Sequence, residues 1–437
     1  MKVGVIGTGH VGLITCVSLT ALGHDVVGTD QDGEKVDLLS QGAVPFYEPG
    51  VKGFLRRGLA SGKLRFTTDP AEAIEGSEAV LISVGTPPRA SGDANLVAVE
   101  RAAKVVARHA DGSCVVIEKS TVPTGTAHRL RLALNRENGG RAKQLEVVSN
   151  PEFLREGKAM YDALHPDRIL IGAESEWAFE TMRRLYEPLI SRGCNYIETD
   201  IATAELAKHA SNAFLALKIS YANALARLCE RAGADVVSVV DVMGTDPRIG
   251  KASLNAGLGY GGSCFPKDLQ AFHRLAARLG YDFPLLNEIR RINDETVDVA
   301  VEKVREAVWN LEDKRVALFG LAFKPGTDDV RFAPALALAK QLLGEEARVV
   351  GYDPQAGATA KSEVPDLEIA LDPYEAARGA HCLVLCTEWD EFGALDWGRI
   401  KELMAYPVVV DGRNYLDSTA LGELGFSYYP MGRPAIV

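Results

Sequence analysis

The stretch from Lys2 to Asp32, KVGVIGTGHVGLITCVSLTALGHDVVGTDQD, constrains the fold more than any other part of the chain. A short β-branched run ends in Gly7-Thr8-Gly9-His10-Val11-Gly12. A helical pattern follows, and a second apolar run ends at Asp30. This is a βαβ unit whose turn suits a pyrophosphate. Gly7 permits the tight turn, Gly9 lets a phosphate approach the backbone, and Gly12 lets helix and strand pack closely. The phosphates then sit at the helix N-terminus. Asp30 falls roughly 20 residues on, where a carboxylate accepts from both ribose hydroxyls. It would repel a 2′-phosphate, and no arginine follows it. A glycine turn alone also occurs in α/β domains that bind nothing, but strand, turn, helix and acidic residue together predict NAD rather than NADP.

Further strands are expected in AVLISVG (79–85), CVVIEKS (114–120) and LEVVSN (145–150), separated by helical stretches. A parallel, doubly wound sheet is the economical arrangement. From Thr203 the run TAELAKHASNAFLALKISYANALARLCERAG contains no proline and stops at Gly233, which predicts one long helix. Apolar residues occur almost all round it, which predicts burial between domains. From Arg315, RVALFGLAFKPGTDD and then ARVVGYDPQ repeat the opening pattern without the full glycine fingerprint, so a different ligand is expected there. CLVLCTEWDEF (382–392) and YPVVVDGRN (406–414) add strands. The fold class is therefore α/β: two Rossmann-like doubly wound parallel-sheet domains, joined by a long central helix and a helical middle domain. At 437 residues the chain exceeds one ordinary core. The expected divisions are 1–200, 201–300 and 301–437.

The net charge of −11 disfavours a nucleic-acid binder, because that affinity rests on Lys and Arg neutralising phosphates. The seven cysteines are dispersed, with no CxxC pair and no Cys/His spacing suited to zinc. No metal is expected, and a reducing compartment is. The opening residues lack a basic segment and a cleavage site, and no apolar run is long enough to span a bilayer. The expectation is a cytoplasmic protein without a membrane partner.

One cysteine is set apart. Residues 259–268 read GYGGSCFPKD, placing Cys264 after Gly259, Gly261 and Gly262 and before Lys267 and Asp268. A free cysteine is commonly a small buried hydrophobe. That reading suits Cys16 and Cys114 but leaves the glycines and the charged pair unexplained. Glycines let a substrate reach the backbone, and a nearby cation favours the reactive thiolate, so Cys264 is expected to be a nucleophile. Lys208 and Asn212 are spaced i, i+4 on the long helix. Ala210, Ala213, Phe214 and Leu217 give that face little reason to be wet, so a lysine there is placed to polarise an oxygen. The loops KSTVPTGT (119–126) and SNPEFLREG (149–157) follow strands at the end where α/β sheets place ligands, which makes Thr121, Glu152 and Glu156 candidates. Lys324 and Arg331, in FKPGTDDVR, hold the equivalent place in the third region and would meet a second anionic ligand.

Taken in order, GTGHVGL, YEPG, VGTP, KSTVPTGT, SNPEFLREG, PDRILIG, KHASNAFLALKIS, DPRIG, GYGGSCFPKD and GLAFKPGTDDVR closely resemble the UDP-glucose 6-dehydrogenases, within the nucleotide-sugar dehydrogenases. The likeness covers nearly the whole chain and thins after Asp353. It implies oxidation of the C6 alcohol of a UDP-sugar to a carboxylate in two hydride transfers, with two NAD per sugar and a thioester on Cys264. By the same resemblance Lys208 and Asn212 stabilise the oxyanion, Asp268 and Thr121 orient water and protons, and Glu152 is a base for thioester hydrolysis. The cofactor would be held by the glycine loop with Val11, then Asp30, Lys35, Thr86, Thr121, Glu156, Lys267 and Arg331. The sugar nucleotide would meet Glu152, Phe153, Leu154, Arg155 and Glu156, then Lys208, Asn212, Gly261, Lys324 and Arg413. It would also meet the loop of Ser253, Leu254, Asn255, Ala256 and Gly257. The resemblance makes the three segments NAD-binding, central dimerising and UDP-sugar-binding. It further implies a homodimer through the central helices, with Arg248 reaching the partner's site.

The chain departs from the family pattern at His10, where an aromatic is usual, and at Ala224, where many relatives carry glutamate. The first is expected to affect packing rather than chemistry; the second puts any role of that glutamate in doubt. GDP-mannose and UDP-N-acetylmannosamine dehydrogenases share the chemistry. The latter usually carry histidine before the cysteine and lack Lys-Asp after the proline, whereas the former often read GGSCLPKD, one residue from this chain. β-Hydroxyacid dehydrogenases share the Rossmann domain and the Lys-x-x-x-Asn helix but lack the nucleophile and the third α/β region. A regulator built on an inactive scaffold would be expected to have lost Cys264 or Lys208.

Overall fold

A computed structural model describes residues 1–87, 89–90, 92–138 and 144–436. Two compact units divide it, Met1–Ser211 with Gln270–Tyr281 and Asn212–Leu269 with Asp282–Val437. Two of the three divisions fall inside the helices Ile201–Ala232 and Phe265–Arg278, and the third follows Tyr281.

The first unit is built on eight strands: β1 (Lys2–Ile6), β2 (Asp25–Thr29), β3 (Leu64–Thr67), β4 (Ala79–Ile82), β5 (Cys114–Glu118), β6 (Leu145–Ser149), β7 (Arg168–Gly172) and β8 (Asn195–Thr199). Their order is β3-β2-β1-β4-β5-β6-β7-β8, so the winding reverses between β1 and β4. β4 and β5 are buried along their whole length, as expected of strands covered on both faces. One pairing departs from the parallel arrangement: β7 meets β6 antiparallel, through Ser149 and Gly172. The connection between them holds only the six-residue helix Ala159–Leu164, so the chain turns back rather than crossing over. β7 and β8 pair parallel around the helix Glu176–Ile190, as a βαβ unit of their own at the sheet edge.

The glycine turn divides its tasks by space. Gly7 has φ +91°, a left-handed conformation that favours glycine. A Cβ on Gly12 would lie 1.9 Å from the Gly7 carbonyl oxygen, so the helix His10–Ala21 rests directly on the turn. A Cβ on Gly9 would meet nothing within 4 Å.

The second unit carries β9 (Arg315–Phe319), β10 (Arg348–Tyr352), β11 (Glu368–Ile369), β12 (Cys382–Leu385), β13 (Val408–Asp411) and β14 (Ser427–Pro430). They pair parallel throughout, in the order β11-β10-β9-β12-β13-β14. Its core joins Leu318, Val316 and Val384 of this sheet to Val301 and Val304 of the helix Pro284–Val308. A smaller cluster packs Ala222, Ala226 and Cys229 of the long helix against Val236, Val240 and Leu254.

The long helix differs from its sequence expectation. It is not buried all round, for Leu206, Phe214, Tyr221 and Leu228 are 41%, 61%, 49% and 60% exposed. Phe214 therefore does not help to dry the face bearing Lys208 and Asn212. Those two are buried because polar partners meet them, as described below.

Gly12→Ala is expected to destabilise the protein by ~1–3 kcal/mol through overpacking. Gly9→Ala should leave the urea unfolding midpoint unchanged while weakening NAD binding, measured by fluorescence titration.

Candidate active site

In the first unit a cavity of about 430 Å³ opens at the β1–β4 reversal, with Gly7, Gly9, Thr29, Asp30, Lys35 and Ser83 on its wall. This is where an open α/β sheet places its ligand. Asp30 is held in place: one oxygen accepts from the Thr8 amide at 2.9 Å, the Thr8 hydroxyl at 3.0 Å and the Lys35 ammonium at 3.0 Å. Partial burial pushes its carboxyl up. The Thr8 amide and Lys35 outweigh that and hold it below the usual range, so it meets a ribose as an anion. No acidic residue occupies the first turn of the helix His10–Ala21, which leaves its positive end to a phosphate. Space at Gly9, the helix start and the anchored carboxylate fit a dinucleotide. Val11 lies in that first turn, its carbonyl accepting from the Thr15 hydroxyl at 2.8 Å. The ring of His10 stacks on Phe46 with centroids 4.5 Å apart, and its Nε2 lies 3.3 Å from Glu48.

The loops after β4, β5 and β6 carry the next group. The Thr86 hydroxyl donates to the Thr121 carbonyl at 3.0 Å, which ties two of the expected cofactor residues together. Glu152 is buried. Its Oε1 lies 3.2 Å from Lys208 Nζ, and its Oε2 accepts from the Leu154 amide at 2.6 Å. The Lys208 ammonium also lies 5.2 Å from the centre of the Phe153 ring. Arg155 is exposed and forms a bidentate pair with Asp162. Glu156 is half-buried in the same loop.

In the second unit Cys264 immediately precedes the helix Phe265–Arg278, and its carbonyl accepts from the Asp268 amide at 2.8 Å. A helix start favours an anion, so the position suits a thiolate. The Ser263 hydroxyl lies 3.7 Å from Cys264 Sγ, and the thiol is half-exposed. Asp268 is buried; its Oδ2 accepts from Asn212 Nδ2 at 2.6 Å and its Oδ1 lies 3.3 Å from Lys267 Nζ. Three of the other thiols differ. Burial pushes those of Cys16 and Cys382 far up and that of Cys386 up to about 12, so none of these three is available as a nucleophile.

Gly259, Gly261 and Gly262 do something other than leave room. A Cβ on Gly259 would come within 2.5 Å of Asn293 Oδ1, one on Gly261 within 2.3 Å of the Phe332 carbonyl, and one on Gly262 within 2.7 Å of the Phe323 ring. The chain itself fills the space that the sequence reading gave to substrate. Arg413 donates to the Cys386 carbonyl at 2.6 Å and the Gly259 carbonyl at 3.1 Å, so its guanidinium braces this same loop. In the Ser253–Gly257 loop, Leu254 and Ala256 are buried, Asn255 is exposed, and the Gly257 amide donates to Asn223 at 2.8 Å. Lys324 lies 5.5 Å from the Phe323 ring. Arg331 and Arg248 are exposed and fork onto Asp329 and Asp246 respectively.

Several residues escaped the sequence reading. Lys119 and Tyr186 both donate to Asn150 Oδ1, at 3.1 and 2.6 Å. Glu205 accepts from the Gly125 and Ala127 amides at 2.6 and 2.9 Å, and His209 Nε2 lies 2.9 Å from the Val122 carbonyl. The available signal was position alone: Glu205 and His209 flank Lys208 within one helical turn, and Lys119 opens the KSTVPTGT loop. Among the described residues, no cluster of three or more His, Cys, Asp or Glu side chains is placed to hold a metal, and no helix is long and apolar enough to cross a membrane.

Residues 1–190 match the UDP-glucose/GDP-mannose dehydrogenase family, NAD binding domain. Residues 202–295 match that family's central domain and residues 317–418 its UDP binding domain. The chain belongs to the UDP-glucose/GDP-mannose dehydrogenase family. Within this family it is 42% identical to a UDP-glucose 6-dehydrogenase of Rhizobium meliloti, over 99% of this chain and 100% of that one. It is 40% identical to the UDP-glucose 6-dehydrogenase YwqF of Bacillus subtilis, over 100% and 99%. A UDP-glucose dehydrogenase from Pyrobaculum islandicum has a similar structure, with TM-score 0.91 and 38% identity over 99% of this chain and 98% of that chain. A UDP-D-ManNAc dehydrogenase from Pyrococcus horikoshii is also similar, with TM-score 0.86 and 30% identity over 99% of each chain. Membership makes the dinucleotide of the first unit NAD and the chain a nucleotide-sugar dehydrogenase.

Glu152→Ala removes the carboxylate from a buried ammonium and is expected to cost about 3 kcal/mol of stability. Lys208→Met in the same chain should restore part of that loss, read by urea unfolding of the single and double variants.

Proposed function

We propose that this dehydrogenase converts UDP-glucose to UDP-glucuronate by two successive oxidations at C6, with Cys264 as the covalent anchor between them. The observation that carries the reading is the setting of one thiol: Cys264 is half-exposed at a helix start beside the Asn212–Asp268 pair. Cys16, Cys114, Cys229, Cys382 and Cys386 are buried, and half-exposed Cys194 lies past the end of the helix Glu176–Ile190, its thiol pushed up by partial burial. Likeness along the whole chain to UDP-glucose 6-dehydrogenases supports the choice of sugar. The glycine loop and Asp30, with Lys35, Thr86, Thr121, Glu156, Lys267 and Arg331, would hold NAD, which would supply the hydride acceptor for each oxidation.

The residues of the chain do the remaining work. Lys208 and Asn212 hold the C6 oxygen as its proton passes to water oriented by Asp268 and Thr121, their donor groups offsetting the charge that develops there. The Cys264 thiolate then attacks the aldehyde carbon, forming a thiohemiacetal whose oxidation leaves a thioester. Glu152 takes a proton from water, the water oxygen bonds to C6, and the C–S bond breaks with its electron pair returning to sulfur. Asp268 and Thr121 orient the water and protons. Glu152, Phe153, Leu154, Arg155 and Glu156, the loop Ser253–Gly257 with Gly261, and Lys324 and Arg413 bind the sugar nucleotide.

Three functional parts follow: residues 1–200 bind NAD, 201–300 dimerise, and 301–437 bind the UDP-sugar. The exposed apolar residues Phe214, Tyr221 and Leu228 on the long helix support a homodimer through the central helices. Arg248, exposed and tied only to its neighbour Asp246 among the contacts described above, is assigned to the partner's site. The reaction needs no membrane and no nucleic acid, and it belongs in the cytoplasm, where nucleotide sugars are made.

Two NADH are expected per UDP-glucose consumed, followed by absorbance. Cys264→Ser should form no acid while still binding NAD; equal acid formation by this variant would sink the covalent mechanism. Turnover of GDP-mannose or UDP-N-acetylmannosamine in preference to UDP-glucose would overturn the sugar. Phe214→Glu with Leu228→Glu should convert a dimer to a monomer in light scattering.

A further inference from the structure

Two features of the sequence have no task in the reaction so far: the motif YEPG at 47–50 and His10 in the glycine turn. In the structure they meet. The segment leading into the helix Val51–Ala60 carries Phe46, whose ring stacks on that of His10, and Glu48, which is buried. Glu48 Oε1 accepts from the Ala159 amide at 2.8 Å, and Oε2 accepts from the Gly157 amide at 2.7 Å. The same Oε2 lies 3.3 Å from His10 Nε2. All of these residues belong to the first unit. Gly157 has φ +80°, so the chain turns sharply where Glu48 holds it. Within the loop the Leu154 amide bonds Glu152 and the Arg155 amide bonds Asp162, ties that are local in sequence. Glu48 comes from 109 residues before Gly157 and joins the end of this loop to the first residue of the helix His10–Ala21.

We propose that Glu48 is a positioning residue for the sugar nucleotide: it holds the end of the loop Glu152–Gly157 against the turn that binds NAD, with His10 as its footing on that turn. The proposal rests on the reading of residues 152–156 as part of the sugar-nucleotide site. Hydride transfer needs the donor carbon and the acceptor in register, and a misplacement of about 1 Å can cost on the order of 100-fold in rate. A side chain that ties the two binding loops to each other supplies such register. Two acceptor oxygens are required for it. A glutamine at 48 could accept from one amide only, since its other end is a donor. A phenylalanine at 10 keeps a ring for Phe46 to stack on but presents no nitrogen to Glu48. The two changes cut the same tie from opposite sides.

The test is equilibrium binding by the intact protein: UDP-glucose by calorimetry without NAD, so that nothing turns over, and NADH by fluorescence. Glu48→Gln should weaken UDP-glucose binding about tenfold, the effect of leaving one amide without its acceptor. NADH binding, secured by the packing of Gly12 on Gly7, should change less. His10→Phe should weaken UDP-glucose binding about threefold, near the lower end of coupling between side chains in contact, although His10 lies in the cofactor turn. Because His10 acts through Glu48, the double variant should bind UDP-glucose no more weakly than Glu48→Gln alone. A lower melting temperature with native UDP-glucose affinity would make Glu48 a purely structural residue and overturn the proposal. Equal loss of both affinities, or losses that multiply in the double variant, would overturn it too. Should Glu48→Gln fail to fold, judged by its melting curve, His10→Phe decides, and native UDP-glucose affinity there overturns the proposal. Phe153→Ala separates the two readings. UDP-glucose binding unmoved in Phe153→Ala removes the loop from the sugar site, whereas binding weakened there but native in Glu48→Gln removes Glu48 alone.

Discussion

A helix that buries charge must be met by loops that answer it. The long helix Ile201–Ala232 places Glu205, Lys208, His209 and Asn212 in buried positions over barely two turns. Each unmet polar group there would cost several kcal/mol of desolvation, on the order of ~2–7 for a neutral group and more for a charge. In the first unit the debt is met by the loops after β5 and β6. The amides of Gly125 and Ala127 bond Glu205, the Val122 carbonyl meets His209, and Glu152 meets Lys208. The same contacts that make the helix tolerable fix the loops carrying Thr121 and Glu152. Stability and site geometry are therefore one set of bonds, and loosening either loosens the other. Burial raises the Glu205 carboxyl, but three backbone amides at the start of the helix Thr126–Asn138 oppose it, as a helix N-terminus favours an anion.

The two sheets show how one topology serves two purposes. Both reverse their winding at the first strand and both end the second strand near an aspartate. Asp30 keeps its anionic character through Thr8 and Lys35 at the edge of an open cavity. Asp353 instead spends both oxygens on its own unit. It accepts from the amides of Leu321 and Ala322 at 2.7 and 3.0 Å, from those of Gln355 and Ala356 at 2.8 Å each, and from the Trp389 indole at 3.1 Å. With its acceptors used in this way it closes the turn that the glycine fingerprint would otherwise open. The missing glycines of the third region and the saturated Asp353 are two sides of the same change.

Features that depend on near neighbours were legible in the sequence: the glycine turn, Asp30, the strands and the long helix. So were the charged companions of Cys264, which follow within four residues. What could not be read depends on distant partners. The β7 reversal is set by how little helix lies between β6 and β7 rather than by any strand pattern. Gly259, Gly261 and Gly262 suggest space for substrate in the sequence, yet what they meet is Asn293, Phe323 and Phe332, none of them near in sequence. Lys119 reads as an ordinary loop cation until Asn150, 31 residues on and itself bonded by Tyr186, holds it in place. Phe214 was assigned to a dry face because helical spacing predicts which residues share a side, not which side is covered.

A carboxylate close to the Cys264 thiol would oppose its ionisation, since two anions at a helix start repel. Asp268 lies one turn beyond Cys264 and is buried, where screening by water is weak. The structure offsets this locally, because Asn212 donates to one Asp268 oxygen at 2.6 Å and the Lys267 ammonium lies 3.3 Å from the other. With its charge answered by those two donors, Asp268 can anchor Asn212 with less opposition to a charge on the Cys264 sulfur. The pattern Cys-Phe-Pro-Lys-Asp then has a physical logic. Proline at the second helical position tolerates the missing amide donor of a first turn, lysine compensates the carboxylate, and the carboxylate orients an amide carried by another helix. Removing the lysine alone would leave an uncompensated buried charge beside the thiol, so Lys267 and Asp268 work as a pair rather than as two separate residues.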